Sequence, residues 1–146
     1  MDHLVTLDSG AKEIENLVKG SKSMIVRGAD SKCTPYGIVA EGDYLYFVDD
    51  VEPDTVKARA VASCVYNSYP LATEESFDMI IRNQDKLVLP DDLFYKWAGK
   101  RYLVLIEIRD AELFGPLLIN SKLLRENDWL ATDNMDEVLC HKLKTA

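Results

Sequence analysis

The sequence predicts an α+β fold: a small mixed or antiparallel sheet closed into a barrel, with helices around it. Three observations lead there. Segments of strand period and helical period are interspersed without the regular strand-helix alternation of a parallel sheet. No internal repeat and no linker composition interrupts the 146 residues. That length, with 47% hydrophobic and 29% charged residues and only 7 Gly and 5 Pro, suits one folded domain spanning 1–146.

The elements follow in order. His3 to Leu7 reads as a short strand. From Ala11 to Lys19, Ile14, Leu17 and Val18 share one helical face, with Asp8 or Ser9 as N-cap and Gly20 as the C-terminal stop. Ser23 to Arg27 is a strand, followed by a loop holding Gly28, Pro35 and Gly37 and then the aromatic strand Tyr44 to Val48. Between Val56 and Tyr66 the period is two: Val56, Ala58, Ala60, Ala62, Cys64 and Tyr66 take one face, Lys57 and Arg59 the other. The small residues on the first face predict close packing against that strand.

Thr73 is placed to cap a helix carrying Phe77, Ile80 and Ile81, with Glu74 and Glu75 in its first turn. A short helix with Leu93, Phe94 and Trp97 is expected between Pro90 and Gly99, and adjacent Asp91 and Asp92 read as residues of its start. Arg101 to Arg109 is the strongest strand signal. Irregular chain follows Pro116, and a C-terminal helical extension is expected over about 120–146, as helices from Ser121 to Trp129 and from Asp133 to Lys144.

Several function classes fall away. Cys33, Cys64 and Cys140 are far apart and read as free thiols; His3 and His141 stand at opposite ends, so neither a metal site nor a cofactor is expected. The longest apolar run, Tyr102 to Ile106, is far short of a membrane span, and MDHLVTLDSG lacks the features of a secretory leader, which together predict a cytoplasmic protein away from membranes. A net charge of −8 argues against coating nucleic acid non-specifically. Between Asn16 and Ile38, however, Lys19, Lys22, Arg27 and Lys32 face only Asp30, and downstream Asp49, Asp50, Glu52 and Asp54 have no base among them. Such runs can equally be a solvated face and an exposed turn. Nothing in the chain matches a nucleophile elbow or a phosphate-binding glycine loop.

The informative stretch is Leu17 to Phe47. A helix ends at Gly20, Lys22 follows, Arg27 ends the next strand, and Gly42-Asp43 turns into an aromatic strand. This order resembles the ASCH domain family, a branch of the PUA-like RNA-binding superfamily, whose signature runs Gly-x-Lys-x-x-(Glu or Thr)-x-Arg with a later Gly-Asp. The resemblance covers about Ser9 to Ile119. It implies a PUA-like barrel with a cleft beside the motif, and as ligand RNA, a nucleotide or a modified nucleobase.

The resemblance places ligand binding on Gly20, Lys22 and Arg27 and the motif's turn on Gly42 and Asp43, the latter read as structural; the basic window adds Lys32, and a ring able to stack bases adds Tyr36, as further ligand-binding candidates. Lys22 offers a point cation; Arg27 offers a planar fork for phosphate or a base edge. Lys22 can equally be a surface cation, and Arg27 half of a structural ion pair. Asp43 is placed to accept backbone N–H groups of its turn. Tyr36, Trp97 and Tyr102 can stack bases, although Trp97 sits on an apolar helix face.

One departure bears on catalysis. Where the enzymatic branch carries a reactive Glu or Thr, this chain has Ile25, which can be neither base nor nucleophile. That favours a binder over an amidohydrolase of acetylated cytidine or an RNA hydrolase that would recruit Glu74 or Glu75. A protein-binding module using the acidic surface is a third reading.

Overall fold

The computed structural model describes residues 1–120 and 126–139. Strand β1 (Asp2–Leu7) leads to helix α1 (Glu13–Lys19) and strand β2 (Met24–Ala29). Strands β3 (Tyr44–Asp49) and β4 (Thr55–Asn67) form a hairpin, then come α2 (Thr73–Arg82), α3 (Gln84–Leu87) and α4 (Asp91–Trp97). The long β5 (Tyr102–Leu118) and the short β6 (Trp129–Thr132) complete the described strands.

These strands form one mixed sheet in the order β2-β5-β4-β3-β1-β6, curled into a half-barrel. All neighbours are antiparallel except β1 and β3, which pair in parallel from Asp2 opposite Tyr44 to Leu7 opposite Asp49. The hydrogen-bonded ladder ends at β2 on one side and β6 on the other, so the curl leaves a seam where these edges face each other.

Alternation of side chains sorts the core into layers. The inner face holds Val5, Leu45, Phe47, Ile25, Ile106 and Trp129. Ile14 and Leu17 of α1 join this cluster beside Ala58, Ala60 and Ala62, so the small residues of β4 leave room for the helix. Outside the sheet, Met24, Val26, Leu103 and Leu105 pack against Ile80, Leu87, Leu93 and Trp97 of the three following helices. A third cluster, including Leu4, Val48, Val56 and Ile119, is covered by Met135 and Val138.

Four departures from the sequence reading have local causes. The two-residue period of β4 holds to Ala62 and then inverts: a bulge between Ala62 and Cys64 exposes Cys64 and Tyr66 and turns Val65 inward. Strand β2 runs through Gly28, expected in the loop, because the ladder with β5 pairs Gly28 with Leu103. Strand β5 continues past Pro116 because β4 supplies partners as far as Thr55 opposite Leu118. Residues 126–139 are not the expected helices. Asn127 and Asp128, both at φ 58°, turn the chain into β6, where Trp129 is buried opposite Val5, and only a 3₁₀ turn (Met135–Glu137) follows. Burying Trp129 in the barrel outweighs a weak helical spacing. The remainder of both expected helices lies outside the described residues.

Candidate functional site at the seam of the half-barrel

Helix α1 stops where the sequence says, because Gly20 takes φ 88° and its N–H bonds to the Leu17 carbonyl. The chain then reverses, and Lys22 enters the interior ahead of β2. Only 2% of Lys22 is exposed; its Nζ lies 3.3 Å from Glu13 Oε2 and donates to the Leu87 carbonyl. Burial lowers the Lys22 pKa; the Glu13 carboxylate pulls the other way and the Arg27 charge reinforces the lowering. The other oxygen of Glu13 accepts the Asp8 N–H at 2.8 Å, so this 6%-exposed carboxylate also fixes the entry to its own helix.

Arg27 shares the inner face of β2 with Ile25 and reaches across the seam. Its Nη2 donates to the Thr6 carbonyl of β1 at 2.6 Å, and its Nη1 to Val26 at 2.8 Å. Its guanidinium carbon lies 5.1 Å from the Trp97 ring centre and 5.8 Å from that of Trp129. Arg27 is 4% exposed, and its buried Nε has no acceptor among the described residues. Burial lowers its proton affinity, against Glu13 and Asp128, and leaves a guanidinium charged at any ordinary pH. A weaker contact, Asn127 Nδ2 to the Gly28 carbonyl at 3.4 Å, crosses the same gap.

A cavity of 70 Å³ opens beside Arg27 at this seam. Thr6, Asp8, Glu13, Asp50, Trp97 and Asp128 are among its walls, and Lys96 stands over the Trp97 ring at 4.8 Å. Four carboxylates therefore face two cations, Arg27 and Lys96. It is a small polar recess with room for about two waters.

A second polar group is buried in the barrel wall. Gly42 turns at φ 93°, and Asp43 Oδ2 accepts the Ala40 N–H at 2.9 Å, the backbone role expected of it. The same oxygen lies 2.8 Å from His3 Nε2, and Trp129 Nε1 donates to His3 Nδ1 at 2.9 Å. An indole N–H only donates, so Nδ1 of His3 is the acceptor and Nε2–H donates to Asp43. Burial holds the His3 pKa below its usual value, against Asp43; Asp43 is itself lowered, its hydrogen bonds from His3 and Ala40 outweighing desolvation.

The sequence matches no family model and no curated protein. Its architecture does have solved counterparts. The crystal structure of ASCH from Zymomonas mobilis superposes with a TM-score of 0.68 at 11% identity, covering 99% of this chain and 94% of that one. A Ser-to-Ala mutant of that protein gives the same values, and a Tyr-to-Phe mutant gives a TM-score of 0.67 with 96% of its chain covered. The fold is that of the ASCH domain. Within it, the motif residues separate into two groups.

Lys22 and Arg27 converge on Glu13, a residue the sequence reading passed over although it shares the buried face of α1 with Ile14 and Leu17. An acid on an apolar helical face was the available signal. Gly20 is the exposed cap of that helix and stays outside the seam cavity. Lys32 and Tyr36 also lie outside it, Lys32 standing 5.7 Å over the Tyr36 ring. Ile25, the residue that the motif reading set against a reactive Glu or Thr, is packed inside the barrel at 1% exposure. Glu74 and Glu75 lie exposed in the first turn of α2, where Glu75 accepts the Ala72 N–H; Ala72, not Thr73, is the cap residue. Asp91 and Asp92 are exposed in the first turn of α4. Trp97 packs in the outer core and also presents its ring to Arg27.

Proposed function

We propose that this chain is a cytoplasmic ASCH-type protein that binds RNA or a nucleotide at the seam cavity, admitting the edge of a base, a modified base included. The observation that carries the reading is the buried Arg27 lining that cavity with an unpartnered Nε. Arg27 and Glu13 supply donor and acceptor character side by side, which matches the mixed polarity of a base edge. Phosphate stays outside, because the carboxylates of Asp8, Glu13, Asp50 and Asp128 line the walls. Lys22 serves as the support that holds Glu13 in place. With Ile25 inside the barrel, no reactive side chain stands at the enzymatic position, which favours binding without turnover.

The test is a titration with cytidine, acetylated cytidine and cytidine monophosphate, followed through the fluorescence of Trp97 and Trp129. Binding is expected to be similar for nucleoside and nucleotide and to weaken several-fold in Glu13→Gln, which keeps the side-chain shape. No response to any of the three defeats the cavity as a base site. Release of acetate from acetylated cytidine, lost in Glu13→Gln, makes the hydrolase reading the right one.

A further inference from the structure

We infer that a cavity of 440 Å³ on the outer face of the sheet, between the last turn of α2 and strands β4 and β5, binds a small uncharged aromatic molecule that carries one N–H or O–H group. The site shares no wall with the seam cavity and goes beyond nucleotide binding. Its floor follows from the register. Met24, Glu107 and Cys64 stand in one row across β2, β5 and β4, and Leu105 pairs with Tyr66 two residues along on the same face. The bulge between Ala62 and Cys64 puts Cys64 and Tyr66 on that outer face; an unbroken period would have turned both into the barrel. Helix α2 buries Ile80 in the outer cluster, but that cluster draws on β2 and β5 and includes no β4 residue among those described. Met79, Arg82 and Asn83 therefore form one wall, exposed Cys64 and Tyr66 the other, and buried Met24 and Leu105 lie between them.

The lining selects the chemistry of the ligand. A cleft of this volume, with two methionines, a leucine and a tyrosine ring, suits a flat ring system: thioethers adapt to its outline and take an aromatic ring favourably. Charge on the ligand finds no partner. Arg82 Nε is held at 2.9 Å by Asp78, and Lys86 bonds Glu107, so both charged side chains of the lining are already neutralised. An ion entering here would lose its water without compensation. A polar anchor does remain. Asn83 Nδ2 donates to the Met79 carbonyl at 2.8 Å, which leaves the amide oxygen, without a donor among the described residues, to accept one N–H or O–H. A nucleobase, polar along its edges, would leave donors and acceptors unmet against Met24 and Leu105.

Phenylnaphthylamine, a neutral fluorophore with one N–H, tests this beside anilinonaphthalene sulfonate, the same ring system made anionic. The neutral dye is expected to brighten on titration and to slow alkylation of Cys64, read by mass spectrometry of its peptide, while Cys33, outside the cavity, reacts at its usual rate. The sulfonate should bind roughly tenfold more weakly, because its charge is desolvated without a partner. Tyr66→Ala is expected to weaken the neutral dye about fivefold through loss of a ring contact. Cys64→Tyr fills the mouth of the cavity and should abolish binding. Both side chains are exposed, so melting temperatures should stay near that of the parent. Equal or tighter binding of the sulfonate, dye binding that survives Cys64→Tyr, or unprotected Cys64 each overturns the proposal. Displacement of the dye by cytidine would put it in the seam cavity instead. Dye binding that falls as protein concentration rises, with dimers seen by sedimentation, would make a second copy of the chain the occupant.

Discussion

The seam cluster and the exposed edge around Tyr36 and Tyr102 hold the same kinds of cation in opposite surroundings. At the seam, Lys22 and Arg27 are stripped of water, and Glu13 together with backbone carbonyls compensates their charge. On the outer surface, Lys32 and Arg101 keep their water, stand beside aromatic rings and form no ion pair among the described residues, although Asp30 accepts the Arg101 N–H. The comparison teaches that the two cations of the sequence motif organise the barrel, while Lys32 and Arg101 outside it remain solvated and form no ion pair among the described residues. A buried charge missing its partner is expensive, whereas an exposed one can be deleted at small cost.

The sharpest way to break the comparison is to remove the shared carboxylate. Glu13→Ala leaves Lys22 and Arg27 buried without it and should cost about 3–5 kcal/mol by urea denaturation. Lys32→Ala should stay within about 0.5 kcal/mol of the parent. Equal costs for the two variants would erase the distinction between the regions.

Asp43→Ala comes next. It deprives His3 of its buried acceptor and the Ala40 N–H of its cap, a loss of about 2–3 kcal/mol in thermal unfolding. Because Asp43 lies outside the seam cavity, nucleoside affinity in the folded fraction should equal that of the parent. A variant of unchanged stability and lost affinity would move Asp43 from the frame into the site.

Acidification should give the smallest and most gradual effect. The folded pKa of His3 is lowered, so the unfolded chain takes up this proton first. His3 therefore contributes fully above its unfolded pKa near ~6.5, and the contribution falls by at most about 1.4 kcal/mol per pH unit below it. Protonated, Nδ1 would face the Trp129 N–H donor to donor. Asp43, whose folded pKa is also lowered, adds a further loss only below its unfolded value near ~3.9. His3→Gln should flatten the upper part of this pH profile; an unchanged slope would place the titrating group elsewhere.

Local periodicity was enough for β3, α2 and α4, each of which buries one face, and a short apolar run was enough for β2, which is buried on both faces; together they gave the α+β class. It also set Gly20 and Gly42 at turns that need positive φ. The spacing from Lys22 to Arg27 brought both residues to one region of the fold. Tertiary contacts decided the rest. The bulge at Ala62 and Cys64 reversed the outer half of β4, and a place for Trp129 against β1 made a strand where helix spacing suggested otherwise. Whether a lysine or arginine is solvated depends on what α1, α4 and β1 lay over it, and those contacts join residues far apart in sequence. The pattern of residues along the chain therefore determined which groups could carry charge, and only the curled sheet decided that Lys22 and Arg27 would be enclosed while Lys32 and Arg101 remained in water.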